Sequence, residues 1–595
     1  MQAVELALQH DTCNVWVLKT GRDAVCIDFG SGRVLDHLDE HGIDRVTDVL
    51  VTHCHRDGTH GLQRAVAAGA RVWVPPVERD LFSDARGYWA RRRVADSYEV
   101  RQESLALVDD VEIAGTVDEY RTRRYGGVDA YTLPTPGHTM GSVTYLVELD
   151  GGTSAFSGDL VHAGGRLWSL AATQWTYVGV SGQAATLLSL GALAARRPAM
   201  VYPAHGESID DPEATFAQTE RRLAELMELR RPEEAPFGYR RWLERPWEHV
   251  LPHLLVNTTS EACSYALLSE TGAALICDWG YDWWTAWPMG GERHHCRPLL
   301  ASIGSLRRDH GVERIEAVLT THYHDDHVAG VNLLRAVEGA EVWSPENVAP
   351  ILEQPERYDL PCVWYDPIPV DRVLRFDEPV HWHEYELRVH PLPGHTRYAA
   401  AFELEVDGRR VLATGDQQSH ENGRMIANYQ YRNRFAMDDY VATVGLYDRL
   451  RPEIMLTGHG RAQQPTEAEL ERLRADAHRI ARLHRELLPV PDAEGVLARI
   501  VPYRSTVEAG ATAPFEVELR NPFADDAETR VSLVVPDGWA SDPPHHLLVV
   551  PAHDEATVRF DVTAGRAVGP VPVLADVTIG TLELGRHADA RVTVR

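Results

Sequence analysis

The chain has almost no lysine and few positive charges. Lys19 is its only lysine, and Lys and Arg together number 59 against 88 Asp and Glu, which gives a formal net charge of −29 at pH 7. A protein that binds nucleic acid along the phosphate backbone needs a basic face. This charge balance therefore argues against a nucleic-acid partner.

Long apolar runs and a cysteine framework are also missing. No apolar run approaches the roughly 20 residues that span a membrane, and the start of the chain, Met1 to Leu6, lacks the basic head and apolar stretch of a signal peptide. The seven cysteines are an odd number and mostly lie in apolar, strand-like segments, where free thiols are common. We expect no membrane contact and a cytoplasmic location with reduced cysteines.

The size of the chain predicts several domains. At 595 residues it can bury more than one core, and 44% hydrophobic and 25% charged residues are ordinary for globular protein.

The segment His322-Tyr-His324-Asp-Asp326-His327 concentrates metal-binding side chains. Residues 316–321 predict a short buried strand and residues 328–337 a helix, so the motif lies on a strand-to-helix loop. Alternate residues of extended backbone point the same way, so His322 and His324 can present both imidazoles to one ion. Asp326 and His327 can then face a second ion. Imidazole and carboxylate are the ligands that a catalytic Zn²⁺ prefers, which predicts a dinuclear site.

The same constellation occurs twice along the chain. Each half has a predicted hairpin ending in Asp-aromatic-Gly, at Asp28 and at Asp278, a Thr-His-x-His motif, a Pro-Gly-His-Thr, a Gly-Asp and a His-Gly. A surface helix follows in each half, beginning at Asp211-Pro212 and at the capping box Thr466 to Glu469. A lone histidine is more often a satisfied core or surface residue. The repetition of the whole pattern favours metal binding.

These residues resemble the metallo-β-lactamase superfamily, whose signature is His-x-His-x-Asp-His followed by single His, Asp and His ligands. The resemblance covers about residues 1–230 and 250–490. In the second half it implies that metal 1 is bound by His322, His324 and His395, that metal 2 is bound by Asp326, His327 and His459, and that Asp416 bridges both. Arg397-Tyr-Ala departs from the small residues that many relatives carry after the Gly-His-Thr, which affects the shape of the pocket.

The first half matches this pattern less completely. His53, His55 and His138 complete a metal 1 site. Gly58 stands where the second half has His327, and His60 should point elsewhere because two residues along a helix turn it by about 200°. Metal 2 would keep only Asp57, Asp159 and His205. Three protein ligands and water still suffice for a catalytic zinc, so both a working site and a decayed copy retained for packing stay open.

The ligand set predicts hydrolysis. A hydroxide bridging two ions is a nucleophile at neutral pH, because metal binding lowers the pKa of water to around 7. Asp326 is the predicted catalytic residue, which would orient the nucleophile and shuttle its proton. We expect Asp28 and Asp278 to support the loop by hydrogen bonding rather than to bind metal.

Clues to the substrate are few. The interval from Asp278 to His322 is 44 residues, against 25 from Asp28 to His53. The additional residues are a candidate lid at the metal edge or a packing surface between the halves, and they include Trp283, Trp284, Trp287, Pro288, Met289, His294 and His295. Tyr429 and Tyr431 are candidates for contact with a substrate oxygen or for core packing.

After about residue 499 the pattern changes to short alternating strands separated by Pro, Gly and Asp turns, at 515–519, 529–535, 546–550 and 557–562. This texture is typical of an immunoglobulin-like β-sandwich, for which we favour packing or partner binding over glycan binding. The predicted fold class is α/β, with two tandem αββα metallo-β-lactamase-fold sandwiches followed by this all-β module. The predicted domains are residues 1–240, 241–495 and 496–595.

We therefore expect a zinc-dependent hydrolase of a small-molecule ester, thioester or lactone, with two Zn²⁺ per complete site and with iron or manganese as alternatives. The choice of bond rests on analogy with the superfamily's commonest activities. An iron-dependent sulfur dioxygenase, a phosphodiesterase and a metal-stabilised binding scaffold, above all in the first half, are the rivals. The oligomeric state is left open.

Overall fold

A computed structural model describes residues 4–91, 105–173, 175, 181–230, 245–281, 297–421, 424–428, 430, 433–488, 492, 495–566 and 570–595. The chain forms two compact units, Met1–Trp247 with Tyr281–His310, and Glu248–Gly280 with Gly311–Arg595. The C-terminal module thus belongs to the second unit, together with most of the second metal-binding half. The domain limits at 240 and 495 stay a prediction.

Two sheets form the first half. One contains β1 (Glu5–His10), β2 (Asn14–Thr20), β3 (Asp23–Ile27), β4 (Arg45–Leu50), β5 (Arg71–Val74) and β6 (Gly115–Thr116), paired in that order. The other contains β7 (Thr122–Tyr125), β8 (Val128–Pro134), β9 (Val143–Leu149), β10 (Gly152–Gly158) and β11 (Met200–Pro203), also paired in sequence. The predicted hairpin is β2 and β3, with Trp16 opposite Ile27.

The two sheets pack face to face. Val25 and Leu50 of the first sheet share a core with Tyr145 and Phe156 of the second. The outer faces are covered by helices, as the αββα arrangement requires. The α-helices described in this unit are Leu38–His41, Arg56–Thr59, Leu62–Ala67, Asp80–Ser83, Ala85–Arg91, Ser181–Ala194, Pro212–Arg230 and Arg297–His310.

The second half repeats this plan. One sheet contains β12 (Trp247–Leu251), β13 (Leu254–Asn257), β14 (Tyr265–Leu268), β15 (Ala273–Cys277), β16 (Arg314–Leu319), β17 (Glu341–Pro345) and β18 (Arg372–Leu374), paired in that order. The other contains β19 (Pro379–Trp382), β20 (Tyr385–Pro391), β21 (Ala400–Val406), β22 (Arg409–Gly415), β25 (Ile454–Thr457) and β26 (Ala462–Gln463), and a separate hairpin consists of β23 (Gln418–Glu421) and β24 (Arg424–Ala427). The described α-helices are Asp325–Val328, Val331–Glu338, Ala349–Glu353, Asp439–Leu450 and Glu467–Leu487.

The parallel pairing of β15 with β16 places the ends of both strands at one edge of the sheet. β14 is buried along its whole length and β15 along nearly all of it, which explains their nearly continuous apolar sequence. Because parallel strands end at the same edge, Asp278 after β15 comes next to the His322 loop after β16. This edge carries the residues described below.

The helix predicted at 328–337 is interrupted. The structure has one turn, Asp325–Val328, and then a second helix from Val331 to Glu338. Gly330 donates its N–H to the carbonyl of Trp279, and a Cβ on Gly330 would lie 2.3 Å from the carbonyl oxygen of Gly280. The backbone of Trp279 thus bonds both the N–H of Gly330 and the carbonyl of His327, two groups that an unbroken helix would pair internally. The capping box at Thr466 and the cap at Asp211 are both confirmed.

The C-terminal module is an all-β sandwich. Its strands are β27 (Ala498–Val501), β28 (Arg504–Val507), β29 (Thr512–Arg520), β30 (Ala527–Val534), β31 (Ala540–Asp542), β32 (His546–Val550), β33 (Glu555–Thr563), β34 (Pro570–Ile579) and β35 (Leu582–Val594). They pair as β27-β29-β33-β31 and β28-β35-β34-β30-β32. Alternate residues such as Phe515, Val517 and Leu519 point into one shared core. The predicted fold class is therefore confirmed in all three modules.

Six described cysteines carry free thiols. Cys296 lies outside the described residues. Within the part of the chain that the structure describes, none of the helices is both long enough and apolar enough to cross a bilayer.

Candidate metal centres

The second half brings three of its predicted histidines together with one aspartate. His322 and His324 lie on the loop after β16, and His395 follows β20. Together with Asp416 after β22 they offer ligand atoms that all lie within 4.8 Å of one another. We call these four residues the histidine group of the second half. His395 Nε2 lies 3.2 Å from His324 Nδ1.

The donor atoms fit a metal ion. Nε2 of His322 is buried and has no hydrogen-bond partner among the described residues. A buried nitrogen left without a partner costs about 1–3 kcal/mol, so a bound ion would remove a penalty that the fold otherwise carries. Burial, with the neighbouring His327 and His324, holds the pKa of His322 well below its ordinary value, and burial lowers the pKa of His324 to about 3. Both imidazoles are therefore neutral, which is the form that binds a metal.

A threonine fixes which nitrogen of His322 faces the group. Thr321 Oγ1 donates its only proton to Asp278 Oδ2 at 2.7 Å and lies 3.0 Å from His322 Nδ1. The hydroxyl must then accept from Nδ1–H, which leaves the lone pair on Nε2. In the first half Thr52 stands in the same way between Asp28 and His53, at 2.8 and 2.9 Å. The expected loop-supporting role of Asp28 and Asp278 is confirmed, because each also accepts the N–H of its threonine.

A second set of ligands adjoins the first. Asp326, His327, Asp416 and His459 also offer atoms within 4.8 Å of one another, and we call them the carboxylate group of the second half. His459 Nε2 lies 3.2 Å from both Asp326 Oδ2 and Asp416 Oδ2, and His327 Nε2 lies 3.1 Å from Asp416 Oδ1. Asp416 belongs to both groups, which is the position that a bridging ligand requires.

Electrostatics distinguish the carboxylate group from the histidine group. Burial lowers the pKa of His459, but Asp416 and Asp326 outweigh it and raise this pKa to about 11. His327 has its pKa raised well above the ordinary value in the same way, against burial, by Asp416, Asp326 and Asp278. His327 Nδ1 also lies 2.7 Å from Asp278 Oδ2. A metal ion entering this group would therefore displace protons from its histidines.

The first half contains a complete set of three histidines. His53, His55 and His138 form one candidate group, and His138 Nε2 lies 3.0 Å from His55 Nδ1. Nε2 of His53 is buried without a hydrogen-bond partner among the described residues, as in His322. Burial, followed by the neighbouring histidines, holds the pKa of His53 and of His138 well below the ordinary value. His53 and His138 are therefore neutral donors, as His322 and His324 are in the second half.

The first half's other group is smaller. Asp57, Asp159 and His205 lie together, with His205 Nδ1 2.9 Å from Asp159 Oδ1 and His205 Nε2 3.3 Å from Asp57 Oδ2. Gly58 stands at the position that corresponds to His327, so the first half has no side chain there. Burial raises the pKa of Asp28, which faces Gly58, to about 7. His60 is exposed and lies 2.7 Å from the carbonyl oxygen of Arg56, outside the group, as predicted.

Several neighbours of the site escaped the sequence reading. Trp168 stacks on His205 with ring centroids 4.0 Å apart and is half exposed. The carbonyl of Asn428 lies 3.0 Å from His395 Nδ1, and Gln417 Oε1 accepts the N–H of His395 at 3.0 Å. Of the residues that support the ligands, Thr52 and Thr321 could have been identified from the sequence, because each precedes the first histidine of its motif in both halves. Tyr429, Tyr431 and the predicted lid residues Trp283, Trp284, Trp287, Pro288, Met289, His294 and His295 lie outside the described residues.

Comparison with known proteins agrees with this geometry. The family model of the metallo-beta-lactamase superfamily matches residues 9–205 and 297–459. A hydroxyacylglutathione hydrolase of Albidiferax ferrireducens is 30% identical over 139 residues, covering 22% of this chain and 46% of that protein. Protein artemis of Pongo abelii is 27% identical over 154 residues, covering 22% of this chain and 20% of that protein. The chain thus spans about half or less of the length of these curated relatives.

Among solved structures, the metallo-β-lactamase MIM-1 of Novosphingobium pentaromativorans is 18% identical. The match covers 41% of this chain and 92% of that one, with a TM-score of 0.31.

Proposed function

This chain belongs to the metallo-β-lactamase superfamily, and we propose that it is a zinc-dependent hydrolase of a small-molecule ester, thioester or lactone. One observation carries the proposal. In the second half two ligand groups meet at a shared carboxylate, Asp416, and the seven residues that form them are the seven the family signature predicts. Two ions held side by side are the arrangement that hydrolytic metal sites use.

The proposed ligands divide between two ions. His322, His324 and His395 would hold the first ion, Asp326, His327 and His459 the second, and Asp416 both. Nitrogen and oxygen donors without a thiolate suit zinc and also accept manganese or iron. Such ions lower the pKa of bound water to about 7 and polarise the oxygen of the scissile bond.

The protein's own groups supply positioning and proton transfer. Asp326 is the least buried carboxylate of the second half's ligands, with 17% of its side chain exposed, and it lies 3.2 Å from His459 Nε2. We assign to it the proton of the attacking water and its transfer to the leaving group. Asp416 is almost fully buried and contacts histidines of both groups, so it keeps them at a fixed separation.

The choice of substrate rests on chemistry and on the relatives. Two curated relatives are named hydroxyacylglutathione hydrolases, and an acyl group on the thiol of glutathione is a thioester. The net charge of −29 disfavours a nucleic-acid substrate. We therefore place a small acyl thioester first, and we keep the cytoplasm as the proposed location.

The test compares the two halves on one set of substrates. We expect hydrolysis of acyl thioesters, esters or lactones by the full chain, loss of turnover by at least about a hundredfold in His322→Ala because a metal ligand is removed, and much smaller loss in the matched variant His53→Ala. Equal losses in the two variants would refute the assignment of chemistry to the second half. Oxygen consumption by iron-loaded protein, without hydrolysis, would refute hydrolysis itself.

A further inference from the structure

The two metal-binding halves hold the loop after their third histidine in different ways. In the first half the loop after His138 is held by its own neighbours. Thr139 donates its N–H to Ser142 Oγ at 3.1 Å, and Gly141 donates its N–H to Glu78 Oε1 at 3.1 Å. All of these residues belong to the first half, so this loop needs no support from another module.

In the second half, Arg397 and Tyr398 occupy the corresponding positions. Arg397 contacts the C-terminal sandwich directly, and Tyr398 is linked to it through Arg434. The guanidinium of Arg397 pairs with both carboxylate oxygens of Glu555, and Nη2 lies 2.9 Å from Oε2. Arg434 Nη1 donates to the hydroxyl of Tyr398 at 2.7 Å and to Glu518 Oε2 at 3.1 Å. Glu518 and Glu555 lie on adjacent strands, β29 and β33. The departure from small residues noted in the sequence therefore has a structural purpose.

These contacts lead directly to a proposed ligand. The N–H of Arg397 donates to the carbonyl of Asn433 at 3.1 Å, and Asn433 Nδ2 donates to the carbonyl of His395 at 2.9 Å. Residues 395–398 and 433–434 thus form one hydrogen-bonded pair of segments. The sandwich contacts these two segments at Arg397 and Arg434. His395 is the first residue of the segment 395–398.

Burial indicates which contact matters more. The side chain of Arg434 is only 9% exposed and that of Glu518 35%, whereas Arg397 and Glu555 are 41% and 36% exposed. A buried guanidinium that loses its carboxylate is left with an uncompensated charge, so the segment would have to move to solvate it. The more exposed, two-pronged pair of Arg397 and Glu555 contributes mainly to orientation.

We propose that the C-terminal sandwich is a positioning module for the second metal centre, with Glu518 and Glu555 as the positioning residues. They hold Arg434 and Arg397, and through Asn433 they fix the backbone of His395. The inference rests on the proposed role of His395 as a ligand. Groups that orient a ligand typically change metal affinity by 10- to 100-fold when they are removed.

The test measures zinc affinity at the second centre alone. A full-length background that carries His53→Ala, His138→Ala and Asp159→Ala removes ligands from both candidate groups of the first half. In it, we expect Glu518→Gln with Glu555→Gln to weaken zinc binding about tenfold in chelator competition and to alter the visible spectrum of bound Co²⁺. The matched control is Glu516→Gln. Glu516 lies on the same strand as Glu518 but pairs with Arg357 at 3.8 Å, so we expect no change.

Exchanging the charges of Arg397 and Glu555 distinguishes loss of the ion pair from a failure to fold. Arg397→Glu should weaken zinc binding, and the addition of Glu555→Arg should restore it. Unchanged zinc affinity in the folded Glu518→Gln, Glu555→Gln protein, an equal loss in Glu516→Gln, or no rescue by the exchange would overturn the positioning role alone. A background protein that binds no zinc would overturn both this role and the proposed function.

Discussion

At the scale of single residues, the candidate site depends on groups that are not among its predicted ligands. Thr52 and Thr321 each donate a hydrogen bond to a buried aspartate and accept one from Nδ1 of the first histidine of the motif. The same aspartate in the second half also orients His327. The ligand types and their order were visible in the sequence, because metal chemistry restricts them to a few residues at regular spacing. The carbonyl of Asn428 and the amide of Gln417 were not, because any residue has a carbonyl and a lone glutamine carries no pattern.

Thr321→Val should weaken metal binding in the second half by about tenfold, because Nδ1–H of His322 loses its acceptor and the ring its fixed tautomer. Thr321→Ser keeps the hydroxyl and should bind as the unmodified chain does. Thr320→Val is the matched control, since Thr320 bonds to Ser344 rather than to a ligand. Zinc titration against a chromophoric chelator provides the measurement, and equal affinity in the valine variants would argue against this role.

Gly58→His should add a metal ligand to the first half. A Cβ on Gly58 would meet Asp28 Cγ at 3.8 Å, an ordinary contact, and Asp28 occupies the place of the aspartate that orients His327. We expect about one more zinc ion per chain than in the unmodified protein, or tighter binding of an ion already present. The converse change, His327→Gly, should remove an ion from the second half. Metal content measured after dialysis decides the matter, and no gain in Gly58→His would mean that the first half has lost more than one ligand.

At the scale of elements, the strands with apolar runs and the helix caps could be predicted from the sequence. The β2–β3 hairpin, the capping box at Thr466 and the short strands of the sandwich are all present. Each is set by local chemistry, such as an alternating burial pattern or a side chain that caps a free N–H. The interruption of the predicted helix at Ala329 and Gly330 could not be predicted from the sequence. It arises because the loop after Asp278 packs against the start of the helix.

Gly330→Ala should destabilise the fold by about 1–3 kcal/mol, since the added methyl group would meet a carbonyl oxygen at 2.3 Å. Gly445→Ala is the control. Gly445 lies inside the helix Asp439–Leu450 with nothing within 4 Å of an added Cβ, so alanine there should be neutral or stabilise by up to about 1 kcal/mol. Thermal unfolding followed by circular dichroism separates the two, and equal melting temperatures would contradict the close approach of these loops.

At the scale of the whole molecule, one chain carries two versions of the same metal-binding fold. The second half keeps every ligand of the family pattern and its His395 loop contacts the sandwich, while the first half lacks the histidine at position 58 and holds its own loop. The duplication was predictable because ligands recur in the same order. The assignment of the helix Arg297–His310 to the first unit and of the sandwich to the second was not, since packing between distant segments leaves no periodic signal in the sequence.

The most direct test of the account is the metal content of two full-length variants, measured by mass spectrometry after purification without added metal. The first carries alanine at His53, His138 and Asp159, and the second carries alanine at His322, His395 and Asp416. We predict about two zinc ions per chain in the first variant, as a dinuclear site requires, and retained hydrolysis. The second variant should have lost both of those ions and the activity. A first variant without bound metal, or a second variant that still turns over substrate, would contradict a dinuclear hydrolytic centre in the second half.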